Sequence, residues 1–452
     1  MPDLLTQLQP VLAAIVAAGG LPLIVGGAVR DRLLGHEPKD IDVEVYRLDV
    51  AQLTEVLARL GRIDAVGRSF GILKLRLPGG YEFDVSLPRR ESKVGAGHRG
   101  FIAEPDPLMT PREAAARRDF TFNALALTPS GELLDFFGGQ ADLAAGILRH
   151  TTAAFAEDPL RVLRAMQFAA RFDMRLAPET ADLCRALLPE AATLSIERIW
   201  GEWYKWAVQG RKPSAGLRVL HESGWIARYP AIAALIDCPQ DPLWHPEGSV
   251  YQHTLFVCDA AAQLAEREAL ADHQRVVLLF AALCHDLGKP STTVFVDGHT
   301  RSPGHAEAGV ALARSLLGQL GSPDNVSAPV LPLVREHLVH IGMTPTERAV
   351  RRLALRLAPA TIEQWGHLVE ADHSGRPPLP PGAPGEEIVA VARRIGTSTG
   401  RPAPILLGRH LLEAGWQPGP ALGQALRRAY QAQIDGAFTT VGEGLIWVAR
   451  NM

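Results

Sequence analysis

The sequence predicts an α+β protein, with strands and helices mixed in its first third and helices alone thereafter. Three observations carry that expectation. Runs with strand character, at 21–25, 40–45, 72–77 and 81–88, all fall before about residue 148. From about 152 to 235 the spacing is helical and rich in Ala, Leu and Arg. From about 245 to 375 it stays helical but gains histidines. A Pro/Gly linker, SGRPPLPPGAPG at 374–385, then precedes a last helical piece from about 386 to 434.

A chain of 452 residues is too long for one core, and the shifts in pattern suggest segments 1–148, 149–240, 241–375 and 386–452. A hydrophobic content of 47% and a net charge of −3 suit a globular protein. They exclude a strongly basic nucleic-acid coat, so any RNA contact must come from local patches. Cys184, Cys238, Cys258 and Cys284 form no CxxC pair and read as reduced, mostly buried thiols. The first positive side chain is Arg30, so no basic leader is expected. The apolar run at 12–18 is too short to span a bilayer. Leu4, Leu8, Val11 and Ile15 instead fit an amphipathic helix. The expected setting is the cytoplasm, without membrane contact.

The next element carries the first chemistry. In LIVGGAVRDRLLGHEPKDID (23–42), Leu21–Val25 reads as a buried strand. Gly26 and Gly27 lack side chains, so their backbone N–H groups can approach phosphate oxygens. A helix over 28–34 would turn its positive end toward that anion, and Gly35 would stop it. Period-two geometry then puts Ile41, Val43 and Val45 on one face, and Asp40, Asp42 and Glu44 on the other. Carboxylates clustered this way repel unless a divalent cation lies between them. Further on, Ile72–Leu77 and YEFDVSLP (81–88) flank Pro78-Gly79-Gly80 as a hairpin. Asp84 is the preferred third ligand and Glu82 the weaker one. Three carboxylates holding two Mg²⁺ suit in-line attack of a hydroxyl on the α-phosphorus of a nucleoside triphosphate.

RRDFTFNA (117–124) offers Arg118 as a phosphate fork and Asp119 as an acceptor for ribose hydroxyls. Arg30 and Asn123 join them as candidate nucleotide-binding residues. A capped helix start with surface arginines would look the same. EDPLR (157–161) opens another helix, with Asp158 as N-cap and Pro159 in its first turn. Asp158 and Arg161 lie on neighbouring turns of one face, and Arg164 continues it. A carboxylate beside a guanidinium can imitate a base-pairing edge, although an N-cap with a local ion pair is the commoner explanation of such a string. Ser195, Glu197, Arg198, Glu202 and Lys205 read as a structural, charge-paired helix.

The histidines of the second half form a second set. His253 lies in WHPEGSVYQHT, His285-Asp286 ends RVVLLFAALCHD, and His305 lies in GHAEAGV. His337 and His340 lie in REHLVH and Asp372 in EADHSGR. Imidazoles and carboxylates gathered from several helices make a divalent-metal hydrolase site. An adjacent His-Asp pair on an apolar helix needs partners for both side chains. The pattern does not single out one metal ion.

LIVGGAVRDRLLG, DIDVEVY, RRDFTFNALAL, EDPLRVLRAMQFAARF and ERIWGEWYK resemble, in order, bacterial class II tRNA nucleotidyltransferases. These are the CCA-adding enzymes related to bacterial poly(A) polymerases. The resemblance implies a head with a small mixed sheet, then an all-α neck, body and tail. It assigns Asp40, Asp42 and Asp84 to the catalytic metals, and Gly26, Gly27, Arg118 and Asp119 to the nucleotide. It makes Glu157, Asp158 and Arg161 an amino-acid template for CTP and then ATP, with tRNA as the partner. Residues 91–116 resemble the family's mobile loop. The histidine half resembles an HD-superfamily phosphohydrolase with phosphatase, 2′-nucleotidase and 2′,3′-cyclic phosphodiesterase activity. His253, His285, Asp286 and Asp372 match its core ligands, and His305 and His337 match an extended set. His340 fits less well, and Lys289 could hold a phosphate. Residues 405–436 resemble the C-terminal segment of the HD-containing branch, where 419–423 suits an RNA backbone or a helix cap. Within the family, CC-adding, A-adding or poly(A) synthesis is the alternative output, and an HD hydrolase with an RNA-clamping head is another. Residues 380–452 hold seven arginines, no lysine and five acidic residues, which weakens the poly(A) option.

Overall fold

The computed structural model describes residues 4–38, 40–64, 72–93 and 101–452. Residues 94–100 of the expected loop at 91–116 lie outside the described residues. The chain divides into two compact units: Met1–Glu202 with Ala215–Trp225, and Trp203–Ser214 with Ile226–Met452.

The first unit starts with α1 (Leu4–Ala17), β1 (Leu21–Val25), α2 (Gly27–Leu33), β2 (Asp42–Tyr46), α3 (Val50–Ala58), β3 (Arg62–Asp64), β4 (Ile72–Arg76) and β5 (Glu82–Ser86). It continues through β6 (Arg89–Lys93), β7 (Phe101–Pro105), α4 (Pro111–Ala116), β8 (Ala126–Leu127), β9 (Leu133–Leu134), α5 (Gly139–Ala145) and β10 (Ile147–Leu148). Then come α6 (Leu160–Phe172), β11 (Arg175–Leu176) and α7 (Pro178–Ala186). The main sheet has seven strands in the order β3-β4-β5-β2-β1-β8-β9. It is mixed, because β2 and β5 run parallel while the other neighbours are antiparallel. Alternation along β2 works as expected: Ile41, Val43 and Val45 are buried while Asp42 opens outward. Leu8, Val11, Leu12 and Ile15 of α1 enter the same core. Each such aliphatic side chain contributes about 1.5–3 kcal/mol on leaving water. Pro78-Gly79-Gly80 does turn the chain between β4 and β5, with φ +104° and +88° at the two glycines.

The second unit is helical, after α8 (Ile196–Gln209) and α9 (Pro213–Glu222) have been passed in chain order. It comprises α10 (Pro230–Ala233), α11 (Val250–Arg267), α12 (Asp272–Cys284), α13 (Lys289–Thr292), β12 (Val294–Val296), β13 (His299–Arg301) and α14 (His305–Leu320). The rest is α15 (Asp324–Glu336), α16 (Glu347–Leu357), α17 (Ile362–Ser374), α18 (Glu386–Arg394), α19 (Gly408–Glu413), α20 (Pro420–Ile434) and α21 (Val441–Asn451). Every residue of α12 from Val276 to Cys284 is buried, as an all-apolar helix requires, and α11, α15 and α17 pack around it. Leu406, Leu411, Ala425, Ala429, Phe438 and Val448 form a separate C-terminal cluster.

The structure corrects five local readings. Helix α2 begins at Gly27 rather than Ala28, and Asp40 sits in a bend before β2 rather than on the strand. Residues 175–176 form a short strand paired with β10 inside a stretch read as purely helical. Val294–Val296 and His299–Arg301 make a hairpin in the helical half. Its Asp297-Gly298 turn, with φ +53° and +80°, follows a Val-Phe-Val run; that was a legible hairpin signal. Helicity also extends past 434, through α21. Gly419 and Pro420 occupy the N-cap and first position of α20, which is the capping alternative for that segment.

Candidate functional site

In the first unit, parallel pairing of β2 with β5 sets Asp42 directly beside Asp84 in register. Glu82 shares the face of Asp84 but lies farther along β5, where Arg76 Nε meets it at 2.8 Å. Lys74 Nζ lies 3.5 Å from Asp84. Surrounding protein desolvates the Asp42 carboxyl and raises its pKa, and Asp84, Asp40 and Glu44 push it further, against the pull of Arg118. That crowding of negative charge is the condition a divalent cation relieves. Carboxylate oxygens also suit Mg²⁺ as a hard ion, so the residues present fit such a metal.

Gly26 adopts φ +70°, and a Cβ there would lie 3.4 Å from an Arg118 nitrogen. The missing side chain leaves room for the guanidinium beside Asp42. Helix α2 is only seven residues long, so arginines carry most of the local positive charge. A cleft of about 430 Å³ runs from Gly26 and Asp42 to Asp158, lined by six arginines (30, 117, 118, 161, 164 and 198) against three aspartates. An adjoining depression of about 320 Å³ reaches Asp84 and Arg89.

Packing fixes the far wall. Phe120 and Phe122 stack at 5.7 Å, and Phe168 of α6 meets both edge-on. This aromatic cluster holds RRDFTFNA against α6. Asp119 is therefore buried, and Arg164 Nε donates to its Oδ2 at 2.7 Å, with Nη2 paired at the same distance. Its Oδ1 accepts from Phe120 N at 2.9 Å and Asn123 Nδ2 at 3.0 Å. Asn123 Oδ1 in turn accepts from Arg30, whose guanidinium lies 4.7 Å from the Phe172 ring centroid. The expected ribose acceptor is thus already committed to three protein hydrogen bonds and an ion pair.

Asp158 and Arg161 meet through the backbone, Arg161 N donating to the Asp158 carbonyl at 3.0 Å, and their side chains have other partners. Asp158 Oδ2 accepts from Arg198 at 2.6 Å, while its Oδ1 caps Leu160 N at 3.1 Å. Arg161 donates to the carbonyls of Ala154 and Arg117 at 2.7 and 2.9 Å. Arg198, read from the sequence as structural, is a cleft residue. Glu157 ends a short 3₁₀ turn immediately before Asp158.

The histidine set converges within the second unit. His253 comes from α11, His285 and Asp286 follow α12, His305 opens α14, His337 follows α15, and Asp372 lies on α17. His285, His305 and His337 each donate Nδ1–H to the carbonyl three residues earlier, at 2.8, 2.7 and 2.6 Å. This tautomer, assigned from the hydrogen bonds, aims the Nε2 lone pairs inward. The Nε2 atoms of His253 and His285 are 3.3 Å apart, as are those of His305 and His337. Such facing nitrogens require a proton or a metal between them. His253, His285 and Asp372 form one candidate metal cluster, and Asp286, His305 and His337 another, each with ligand atoms within 4.8 Å of one another. Imidazole and carboxylate donors at this spacing fit a divalent metal. Burial opposes charge on His253, but the Asp372 and Glu247 hydrogen bonds carry its pKa up to about 9. Burial and the neighbouring His285 charge hold His337 down to about 4. Asp372 stays well below the usual carboxylate range: burial opposes this, and the His253 hydrogen bond and the His285 charge overcome it. A cavity of about 330 Å³ opens over Asp286, Lys289, His305, His337, Asp372 and Arg376. Lys289 Nζ contacts Asp286 and Gln240, both at 2.7 Å. His340 lines the same cavity but stands outside the converging clusters.

The Poly A polymerase head domain family matches residues 23–149, and the HD domain family matches 250–366. A Multifunctional CCA protein of Xanthomonas oryzae pv. oryzae is 37% identical over 434 residues, covering 92% of this chain and 98% of the relative. The chain belongs to the multifunctional CCA protein family. Another member, from Nitrosococcus oceani, is 40% identical over 361 residues, covering 78% of this chain and 84% of its own. Family membership makes the protein a CCA-adding nucleotidyltransferase with an HD domain, both of divalent-metal-dependent families. Its fold resembles that of Bacillus stearothermophilus CCA-adding enzyme in complex with CTP, with a TM-score of 0.66 at 21% identity, covering 100% of this chain and 98% of that one. Thermotoga maritima CCA-adding enzyme complexed with tRNA-CCA aligns with a TM-score of 0.61 at 19% identity, covering 100% and 96%.

Within the histidine cluster, sequence reasoning missed Glu247 and His245 beside His253. Glu247 stands in the quoted WHPEGSVYQHT, six residues before the histidine, and a carboxylate so near a candidate ligand was the available signal. Arg198 had no comparable local signal, since its partner Asp158 lies 40 residues away. Cys184, Cys238, Cys258 and Cys284 are free and buried. Among the described residues no helix is long and apolar enough to cross a membrane.

Proposed function

We propose that the head adds CCA to tRNA 3′ ends from CTP and ATP, with Asp40, Asp42 and Asp84 holding two Mg²⁺ ions. The observation that carries this reading is the register of Asp42 with Asp84, at the point where Gly26 and Arg118 meet. When bound, the ions supply Lewis-acid activation of the attacking 3′ hydroxyl and charge neutralisation at the leaving pyrophosphate. The chain's own part is positioning. Gly26 and Gly27 leave space for the triphosphate, and Arg117 and Arg118 hold its oxygens beside Asp42. The Arg30–Asn123–Asp119–Arg164 network keeps the cleft wall in place. Asp158 and Arg161, with Glu157, present the edge that selects cytosine and then adenine, and Arg198 orients the Asp158 carboxylate. In the HD unit, His253, His285, Asp286, His305, His337 and Asp372 hold divalent metal, and Lys289 faces a 3′-end phosphate for 2′,3′-cyclic phosphodiesterase or phosphatase chemistry. tRNA is the macromolecular partner, contacted also by the segment 386–452, and the setting is the cytoplasm. The proposed working segments remain head 1–148, neck 149–240, HD region 241–375 and tail 386–452.

The test is direct. The full chain is incubated with Mg²⁺, CTP, ATP or both, and with tRNAs ending at the discriminator base, C or CC. Extension of each to CCA is expected, and no addition to any of them overturns the reading.

A further inference from the structure

Behind His253, on the ring edge opposite the metal cluster, lies a carboxylate that neither family resemblance nor spacing assigned. The Glu247 side chain is fully buried; its Oε1 accepts from His245 Nδ1 at 2.9 Å and lies 2.8 Å from His253 Nδ1. His253 Nε2 faces Asp372 at 3.1 Å and His285 Nε2 at 3.3 Å. His285 and His337 are oriented by backbone carbonyls of their own helical turn, and His305 by the Ser302 carbonyl just before α14. His253 sits early in α11 and its Nδ1 has two neighbours: it donates to the Gly375 carbonyl at 3.2 Å and faces Glu247 Oε1 at 2.8 Å. The segment bearing Glu247 is anchored independently. Asp241 accepts from Leu243 N at 3.0 Å and from His299 Nδ1 at 2.8 Å, and Gln240 meets both Lys289 and Gly248. That anchoring limits how far Glu247 can move, and its buried Oε2 has no protein partner, so the charge of the carboxylate is directed through Oε1 at the two rings.

We propose that Glu247 is a positioning residue of the HD metal site, fixing His253 with its proton on Nδ1 so that Nε2 is presented as a metal donor. This rests on the proposed HD metal site. His245 completes the arrangement by sharing Oε1, which keeps Glu247 turned toward the two rings. A carboxylate behind a ligating imidazole both orients the ring and makes its donor nitrogen more basic. Loss of such a partner lowers metal affinity about 10–100-fold.

The experiment titrates Mn²⁺ calorimetrically into chelator-stripped full-length protein carrying Asp42→Asn and Asp84→Asn, so that the histidine site alone reports. In that background Glu247→Ala is expected to weaken Mn²⁺ binding about 10–100-fold, and Glu247→Gln by a smaller factor. The number of ions bound and the melting temperature of the metal-free Gln variant are expected to stay unchanged. Unaltered affinity in both variants overturns the inference. So does a lower metal-free melting temperature with unaltered affinity, which marks a purely structural carboxylate. Loss of one bound ion per chain makes Glu247 a ligand and overturns the positioning role. Absence of Mn²⁺ binding before Glu247 is changed overturns the metal-site reading itself.

Discussion

Replacing Asp119 with asparagine isolates the buried pair that joins RRDFTFNA to α6. The substitution keeps the shape of the side chain but leaves Arg164 facing a neutral amide instead of a carboxylate. Removing one partner of a buried ion pair costs about 3–5 kcal/mol. The Arg164 side chain is 32% exposed, so water recovers part of that cost and roughly 2–3 kcal/mol is expected. Because the chain forms two compact units, the effect belongs in local hydrogen exchange rather than in one global melt. Core amides of α6 are expected to lose about 30- to 150-fold in protection at neutral pH. Burial opposes the Asp119 charge, but Arg164, Asn123 and the Phe120 N–H together hold its pKa below the ordinary carboxylate value. In the unfolded chain the group protonates near about pH 4. Its stabilising share is therefore complete above that pH and is lost as pH falls through the lower folded value. The gap between wild type and Asp119→Asn should close in acid. Unchanged α6 protection at neutral pH, or an equal loss throughout the second unit, refutes the reasoning.

Other perturbations follow from the same geometry. Asp42→Ala should abolish nucleotide addition and spare phosphohydrolysis, while His285→Ala should do the reverse; loss of both activities in either variant contradicts two separate centres. Arg198→Ala frees Asp158 from its 2.6 Å partner, so misincorporation measured with single nucleotides should rise before total addition falls. Arg161→Ala should likewise blur the choice of CTP over ATP, and unaltered selectivity in both arginine variants removes the template role. Gly288→Ala would drive a Cβ into the backbone of His305 and Gly309, so phosphohydrolysis should fall roughly tenfold or more with nucleotide addition retained. A phosphohydrolase assay and a tRNA extension assay on the same preparation decide it. Extended dialysis against a strong chelator should remove both activities, and Mg²⁺ alone should restore addition if the head holds that ion.

Much of this protein is legible in local sequence. Alternation over 41–45 announces which side of β2 is buried, and the apolar run of α12 announces a central helix. The Asp-x-Asp pattern and the dispersed histidines point to the metal chemistry proposed for them, because clustered carboxylates and imidazoles are costly without a cation. The hairpin at 294–301 was also readable, but the surrounding helical pattern masked its Asp-Gly turn. What the sequence determined by itself was therefore residue chemistry and local periodicity, both expressed within a few positions along the chain. Only the tertiary structure decided the pairings: the register that sets Asp84, already preferred over Glu82, beside Asp42, Arg198 rather than Arg161 on Asp158, and Glu247 behind His253. Those choices depend on strand register and helix packing. They bring together groups such as His253 and Asp372, 119 residues apart, and no local pattern encodes a distance of that kind.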